Sequence, residues 1–235
     1  MQKPINTTVH TPAIVLKSFP YGETSIISRC FTKENGKVSF IVRGARSKKS
    51  TKFSYFQPLS YIDIIYNHKS KNDLQTVSKV DFREFWSNIV KDLKTVTLSM
   101  TILDITDRAL SLDEPFPILF NNLKDVLRLF NKNNTDPNLL FWFYECALLK
   151  NLGFQPNLEK LRLPGLPMSN PNDGPNSGSI LATLLAGDIS QLPKDQVTPK
   201  DRHVISDYLW TLLCYHCEGM GKIKSMAITK KILAT

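Results

Sequence analysis

The 235-residue chain has no run of eighteen consecutive apolar residues, so no stretch of it is long enough to span a bilayer as a helix. Residues Met1 to Thr8 are polar and lack the apolar stretch of a secretory signal. Cysteine is sparse, with four residues (Cys30, Cys146, Cys214, Cys217), which predicts reduced thiols in a cytoplasmic protein. No glycine-rich loop leads into a Lys-Ser or Lys-Thr pair, which excludes a P-loop for nucleotides. Neither His-Glu-x-x-His nor Gly-x-Ser-x-Gly occurs, the acids are dispersed, and there are only four histidines. The expectation is a protein that is not an enzyme and takes no cofactor. A catalytic site gathered in space from dispersed residues is the alternative.

Acidic residues are also scarce in one region. Residues 1–82 hold 13 Lys and Arg against 5 Asp and Glu, whereas residues 83–235 hold 17 against 16. Almost all of the net charge of +9 therefore sits in the first third. A basic part joined to a neutral part predicts a polyanion-binding module fused to something else. The alternative is an even scatter of lysines that serves only solubility. With 42% hydrophobic residues, the chain can bury one large core or two small ones.

The first 82 residues read as β-structure. Ala13–Phe19, Thr24–Phe31, Lys37–Val42, Leu59–Tyr66 and Leu74–Val80 are rich in β-branched and aromatic residues, and Pro20-Tyr21-Gly22 and Asn35-Gly36 punctuate them. In the third run Val38, Phe40 and Val42 are assigned to one face, and Lys37, Ser39, Ile41 and Arg43 to the other. Five short strands fit a small barrel or a sandwich. From about Ser87 the period becomes helical, with Val90, Leu93, Val96, Met100 and Leu103 forming a stripe. Further helices are predicted over Ile118–Phe130, from Asp136-Pro137, from Thr198-Pro199 and over Ser225–Leu233. The run Leu139–Tyr144 is apolar all round, as in a helix surrounded by others. Residues 164–178, rich in Pro, Gly and Asn, predict an exposed loop. The expected domains are 1–82 and 83–235.

The strongest local signal is Arg43-Gly44-Ala45-Arg46-Ser47-Lys48-Lys49-Ser50-Thr51-Lys52, five cations without an acid. Its small residues let backbone approach a phosphate, and its cations displace counterions. Phe53, Tyr55 and Phe56 follow, and aromatic faces beside cations suit unstacked bases. For Phe53 and Phe56 a place in the core is the simpler reading. The candidate DNA-binding residues are Lys37, Arg43, Arg46, Lys48, Lys49, Lys52 and Tyr55. Cys214-Tyr215-His216-Cys217 carries two thiols at a spacing that can share an ion, but a closed zinc site needs two more ligands. Packing thiols are the favoured reading, and no metal is expected.

Four stretches in order, Thr11–Leu16, Tyr21–Ser25, Phe31–Lys37 and Arg43–Arg46, resemble the bacterial recombination mediator family RecO. Leu152-Gly153-Phe154-x-Pro156-x-Leu158 and Lys222–Ser225 resemble that family's helical region and tail. The resemblance implies an α+β protein: a five-stranded OB-fold barrel followed by an all-α helical domain. It implies a DNA repair protein that binds single- and double-stranded DNA, anneals complementary strands and helps load RecA onto DNA coated by single-strand-binding protein (SSB). The partners it implies are RecR and the acidic C-terminal tail of SSB, with RecF and RecA as indirect partners, at the nucleoid in the cytoplasm. Many members carry a four-cysteine zinc site after the Gly-Phe-x-Pro-x-Leu stretch. Here Glu159–Pro164 and the loop beyond contain no cysteine, so the resemblance implies that this metal has been lost. A general RNA- or DNA-binding OB module on a helical scaffold is the alternative function.

Overall fold

The computed structural model describes residues 7–69, 72–158, 166–193 and 196–234. The chain forms two compact units, Met1–Ser87 with Ala109–Asn121, and Asn88–Arg108 with Asn122–Thr235. This corrects the expected single cut after residue 82, because residues 109–121 return to the first unit.

In the first unit five strands, β1 (Thr7–Tyr21), β2 (Ser25–Thr32), β3 (Gly36–Val42), β4 (Tyr61–His68) and β5 (Leu74–Glu84), close into a barrel in the order β1-β2-β3-β5-β4. Only the β3–β5 pair is parallel. This is the OB arrangement expected for the N-terminal part. β1 closes it: Thr7–Ile14 pair with β4 and Ala13–Tyr21 pair with β2, the register slipping between Val15 and Lys17. Such an irregularity bends a strand, so one long strand serves two neighbours. Val15, Ile26, Val38, Phe40, Val42, Ile62, Ile64 and Tyr66 fill the interior, with Phe40 edge-on to Tyr66 at 5.0 Å.

A second aromatic cluster explains why residues 109–121 belong here. Phe120 meets Phe31 at 5.5 Å and Tyr61 at 6.3 Å, while Trp86 stacks on Tyr61 at 5.6 Å. The returning segment also pairs with the start of β3: Leu112 bridges Lys37, and the Asp113 amide donates to the Lys37 carbonyl at 3.0 Å. Gly36 has φ +64°, and a Cβ there would overlap the Glu114 backbone, so only glycine fits that turn.

In the second unit α4 (Pro137–Asn151) is buried around its whole circumference, from Asn138 to Leu149. Asp136 caps it through the Asn138 amide at 2.8 Å. The helix α2 (Leu93–Ala109) starts later than its apolar stripe suggested. The Asp92 carboxylate accepts from the Thr95 amide and hydroxyl at 2.7 and 2.6 Å, which sets the first turn and leaves Val90 and Leu93 exposed. Its buried face is Leu98, Ile102, Leu103 and Ile105. The helix α3 (Pro117–Lys132) follows, and α6 (Pro199–His216) opens on a reciprocal Thr198–Asp201 capping box. The short helix α7 (Ser225–Leu233) is tied down by Thr229–Thr101 at 2.7 Å, Ser225–Asp104 at 2.8 Å and Asn138–Leu233 carbonyl at 3.2 Å.

The loop expected over residues 164–178 is corrected in part. Residues 159–165, which include the cysteine-free stretch Glu159–Pro164 and the loop's first two residues, lie outside the described residues. From residue 166 onward the loop is tied rather than free. Ser169 donates twice to Asp207, at 3.1 and 2.7 Å, and the Asn176 amide donates to Asp201 at 2.8 Å. Pro171 and Ser177 are buried, and Ser177 opens a helix that the composition concealed, α5 (Ser177–Ala186). Burial alone would raise the Asp201 carboxyl. Its hydrogen bonds from the Thr198 hydroxyl and the amides of Asn176, Thr198 and Ser177 outweigh that and hold it below the ordinary aspartate value.

Glu145 on α4 is 1% exposed, and neither carboxyl oxygen has a hydrogen-bond partner among the described residues. Burial raises it well above the ordinary glutamate value, and Lys230 on α7 opposes that only weakly. A carboxyl whose folded pKa is raised binds its proton more tightly folded than unfolded. Its contribution to stability is complete below the ordinary glutamate value and is lost as pH rises toward the folded one. The Glu145→Gln variant, which cannot ionise, should therefore gain stability over the wild type as pH rises from the ordinary glutamate value toward neutrality, with a slope of at most about 1.4 kcal/mol per pH unit. Urea unfolding across that range measures the difference, and parallel curves would refute it.

Candidate nucleic-acid interface

The connection from β3 to β4 carries the basic run. Gly44 turns at φ +69°, and Ala45 drops into the barrel core at 1% exposure, which pins the centre of the loop. The Arg46 amide donates to the Thr24 carbonyl at 2.8 Å, and its guanidinium donates to the Gly22 carbonyl at 3.2 Å. The loop is thus fastened to the β1–β2 turn, one of the loops through which OB barrels engage oligonucleotides. Ser47 closes a tight turn onto Gly44 through both its amide and its hydroxyl. The short helix α1 (Lys52–Tyr55) follows.

Arg43, Arg46, Lys48, Lys49 and Lys52 are all exposed. Among the described residues none of them is ion-paired with a carboxylate. Five cations without counter-charges on about ten residues of pinned backbone create a strong local positive potential.

The loop and α1 separate two grooves. One, of about 430 Å³, is lined by Phe19, Pro20, Ile26, Arg46, Ser50, Phe53 and their neighbours. The other, of about 290 Å³, runs between α1 and β5, with Ile41, Val77 and Val80 on its apolar side and Arg43, Lys52, Tyr55 and Lys79 around it. On the outer face of the barrel Phe19, Ile27 and Ile41 lie in register across β1, β2 and β3, and the Arg29 guanidinium sits 5.6 Å from the Phe19 ring.

The structure therefore brings together six of the seven predicted residues and sets one apart. Lys37 is 9% exposed at the start of β3, where the returning segment joins the strand edge, and it is engaged within the protein. Alternation along β3 assigned it to the solvent face. The covering segment lies more than seventy residues away in sequence, so alternation alone could not reveal it. Tyr55 is half-buried and stacks on Phe82 at 4.4 Å. Of the two rings expected in the core, Phe56 is fully buried, but Phe53 is 47% exposed and lines the larger groove. Lys79, Phe19 and Arg29 were missed; alternation along β2, which sets Arg29 on the face opposite to Ile26, Ser28 and Cys30, was the available signal.

Two further observations bear on metal chemistry and membranes. Among the described residues no three His, Cys, Asp or Glu side chains gather as a metal would require. Cys214 and Cys217 both have thiols raised by burial, so they stay protonated at neutral pH. Among the described residues no helix is long and apolar enough to cross a membrane.

The family model for the N-terminal part of recombination protein O matches residues 5–86, and the model for its C-terminal part matches residues 90–226. The chain belongs to the RecO family. It is similar to the DNA repair protein RecO of Salinibacter ruber, 30% identical over 155 residues, covering 66% of this chain and 60% of that protein. It is also similar to the DNA repair proteins RecO of Flavobacterium psychrophilum (25% identical) and Flavobacterium johnsoniae (28% identical), with 96% of this chain and 99% of each relative aligned. RecO membership places the chain in DNA repair and recombination, and the barrel with its basic loop occupies the part matched by the RecO N-terminal model.

If Lys37 plays a structural part, Lys37→Gln should lower the thermal midpoint and leave DNA affinity and its salt dependence unchanged. Fluorescence anisotropy with a labelled oligonucleotide, from 50 to 200 mM salt, separates the two. A reduced salt slope would return Lys37 to the interface.

Proposed function

We propose that the chain holds single- and double-stranded DNA on the face built by Arg43, Arg46, Lys48, Lys49 and Lys52. There it anneals complementary strands and helps load RecA onto DNA coated by SSB, without catalysing a covalent step. The observation that carries this reading is the set of five exposed cations, none ion-paired among the described residues, on a pinned loop between two grooves of an OB barrel. Contacts of that kind go to phosphates, so they hold any sequence and leave base edges available to a second strand. Nothing in such a mechanism requires nucleotide hydrolysis, in keeping with a sequence that lacks a P-loop. Work on chromosomal DNA would place the protein at the nucleoid in the cytoplasm, with RecR as a partner and RecF an indirect one.

Neutralising Arg46, Lys48 and Lys49 together should reduce the slope of log affinity against log salt for single strands by roughly 0.7 per lost phosphate contact. An unchanged slope would remove the loop from the site. The same variant should anneal complementary strands more slowly than the wild type when both are coated with SSB. A general nucleic-acid-binding module would show the same salt slope but would stall on the coat.

The second unit supports the partner half of the proposal. A groove of about 760 Å³ there has Leu129, Leu139, Ile189, Leu192 and Val197 among its lining residues, and Arg202 beside them. The Arg202 guanidinium donates to the Val197 carbonyl at 3.2 Å, and its Nε has no hydrogen-bond partner among the described residues. Asn134, Asp136 and Gln196 also line the groove, so its wall is mixed, and Arg202 is the cation among its lining residues that suits an acidic, hydrophobic peptide end. Arg202→Glu in the full chain should weaken binding of a peptide copying the SSB tail at least tenfold, measured by calorimetry. Undiminished binding would place the tail elsewhere.

A further inference from the structure

The basic loop accounts for phosphates, but it leaves unexplained a group of exposed rings beside it. Tyr55, on α1, stacks nearly parallel on Phe82 of β5, with ring centres 4.4 Å apart and planes 25° apart. Phe85, just past the end of β5, meets Phe82 edge-on at 5.9 Å and 79°. The three form a continuous ladder, all within the first unit. Tyr55 covers one face of Phe82, yet Phe82 remains 42% exposed and Phe85 is 74% exposed. Leaving two phenylalanines this exposed forgoes the hydrophobic stabilisation that their burial would have gained. Adjacent exposed rings of this kind mark binding surfaces more often than isolated ones do.

The surroundings identify the occupant. Tyr55, the first ring of the ladder, also lines the groove that Arg43, Lys52 and Lys79 flank, so the ladder starts beside a cluster of cations. Lys79 is partly neutralised by Asp81 at 3.0 Å, an exposed pair that a phosphate could displace, whereas Arg43 and Lys52 have no carboxylate partner among the described residues. An apolar protein partner would need no cations along its approach. Planar rings beside cations match a strand whose phosphates follow the cations while its bases meet the rings.

We infer that Phe82 and Phe85, backed by Tyr55, form a stacking platform for unpaired bases of a nucleic-acid strand whose phosphates lie along Arg43, Lys52 and Lys79. This rests on the proposed nucleic-acid function of the barrel and makes it more specific. Stacking uses the flat face of a base and leaves its Watson–Crick edge outward, so a strand held this way stays open to its complement. It also gives the barrel a preference for single strands that phosphate contacts alone do not supply. A duplex, whose bases are already stacked, gains nothing from the rings.

The test uses the full chain, its Phe82→Leu/Phe85→Leu double variant, which keeps apolar volume but removes the rings, and Phe85→Ala, which alters a position too exposed to affect folding. Anisotropy compares three probes of equal length: a thymidine oligomer, an abasic deoxyribose-phosphate oligomer and a duplex. The wild type should bind the thymidine oligomer more tightly than the abasic one. The double variant should lose roughly ten- to one-hundredfold on the thymidine oligomer, with abasic and duplex affinities and all salt slopes unchanged. Phe85→Ala should show a smaller loss with the same pattern. A wild type that binds all three probes with steep salt dependence but ignores the bases would overturn the platform and leave the phosphate track standing. Equal losses on every probe would also overturn it. A wild type that binds none of the three would bring down the nucleic-acid reading beneath it.

Discussion

Everything on the basic face depends on how β1 is shared. One fifteen-residue strand pairs with β4 along its first half and with β2 along its second, and the register slip between Val15 and Lys17 allows both. Without that bend the sheet would remain open, with two edges exposed. With it, the β1–β2 turn lies within hydrogen-bonding distance of the loop after β3, and Arg46 fastens the two through Thr24 and Gly22. A loop rich in lysine, arginine and serine would otherwise sample many conformations, and each would present its charges differently. Ala45 in the core and Arg46 on the turn replace that freedom with one arrangement. Closure of the barrel is thus what turns a basic composition into a surface with a fixed pattern of charge.

In the proposed function, charge and aromatic surface divide the work at that face. Cations at long reach attract a polyanion from any direction and fall off with salt, so they set encounter and general affinity. Rings act only at contact and are insensitive to salt, so they discriminate between strands whose bases are free and strands whose bases are paired. The barrel carries both within one unit, on loop, helix and strand residues held by a rigid core. The helical unit shows a different economy. Its carboxylates Asp92, Asp136, Asp201 and Asp207 satisfy helix starts and loop amides. The acids that balance the charge of residues 83–235 are therefore partly structural, and the near-neutral total does not describe a uniformly neutral surface.

The number of strands, the helical second part and the position of the basic loop were legible in the residues themselves, whereas the OB character came from the resemblance to the RecO family. The first three rest on short-range information: β-branched alternation, Asn35-Gly36, Asp136-Pro137, Thr198-Pro199, and five cations in ten residues. The misreadings share a cause. Lys37 looked exposed because residues 109–121, which join the edge of its strand, are remote in sequence. Val90 and Leu93 looked buried because their spacing continued an apolar stripe, whereas Asp92 starts the helix after Val90 and the buried face of α2 runs through Thr95, Leu98 and Ile102, which leaves Leu93 outside it. The segment from residue 166 looked like free loop because its composition says nothing of the two aspartates on α6 that hold it.

The sequence by itself determined the class of the molecule, a basic β-rich part followed by a neutral helical one, since hydrophobic period, turn residues and charge are local properties of the chain. Only the tertiary structure decided which cations face solvent together, which aromatic rings remain uncovered, and that Phe82 and Phe85 stand beside Tyr55. Those are relations among residues as much as thirty positions apart, created by the closing of a barrel, and no local pattern encodes them.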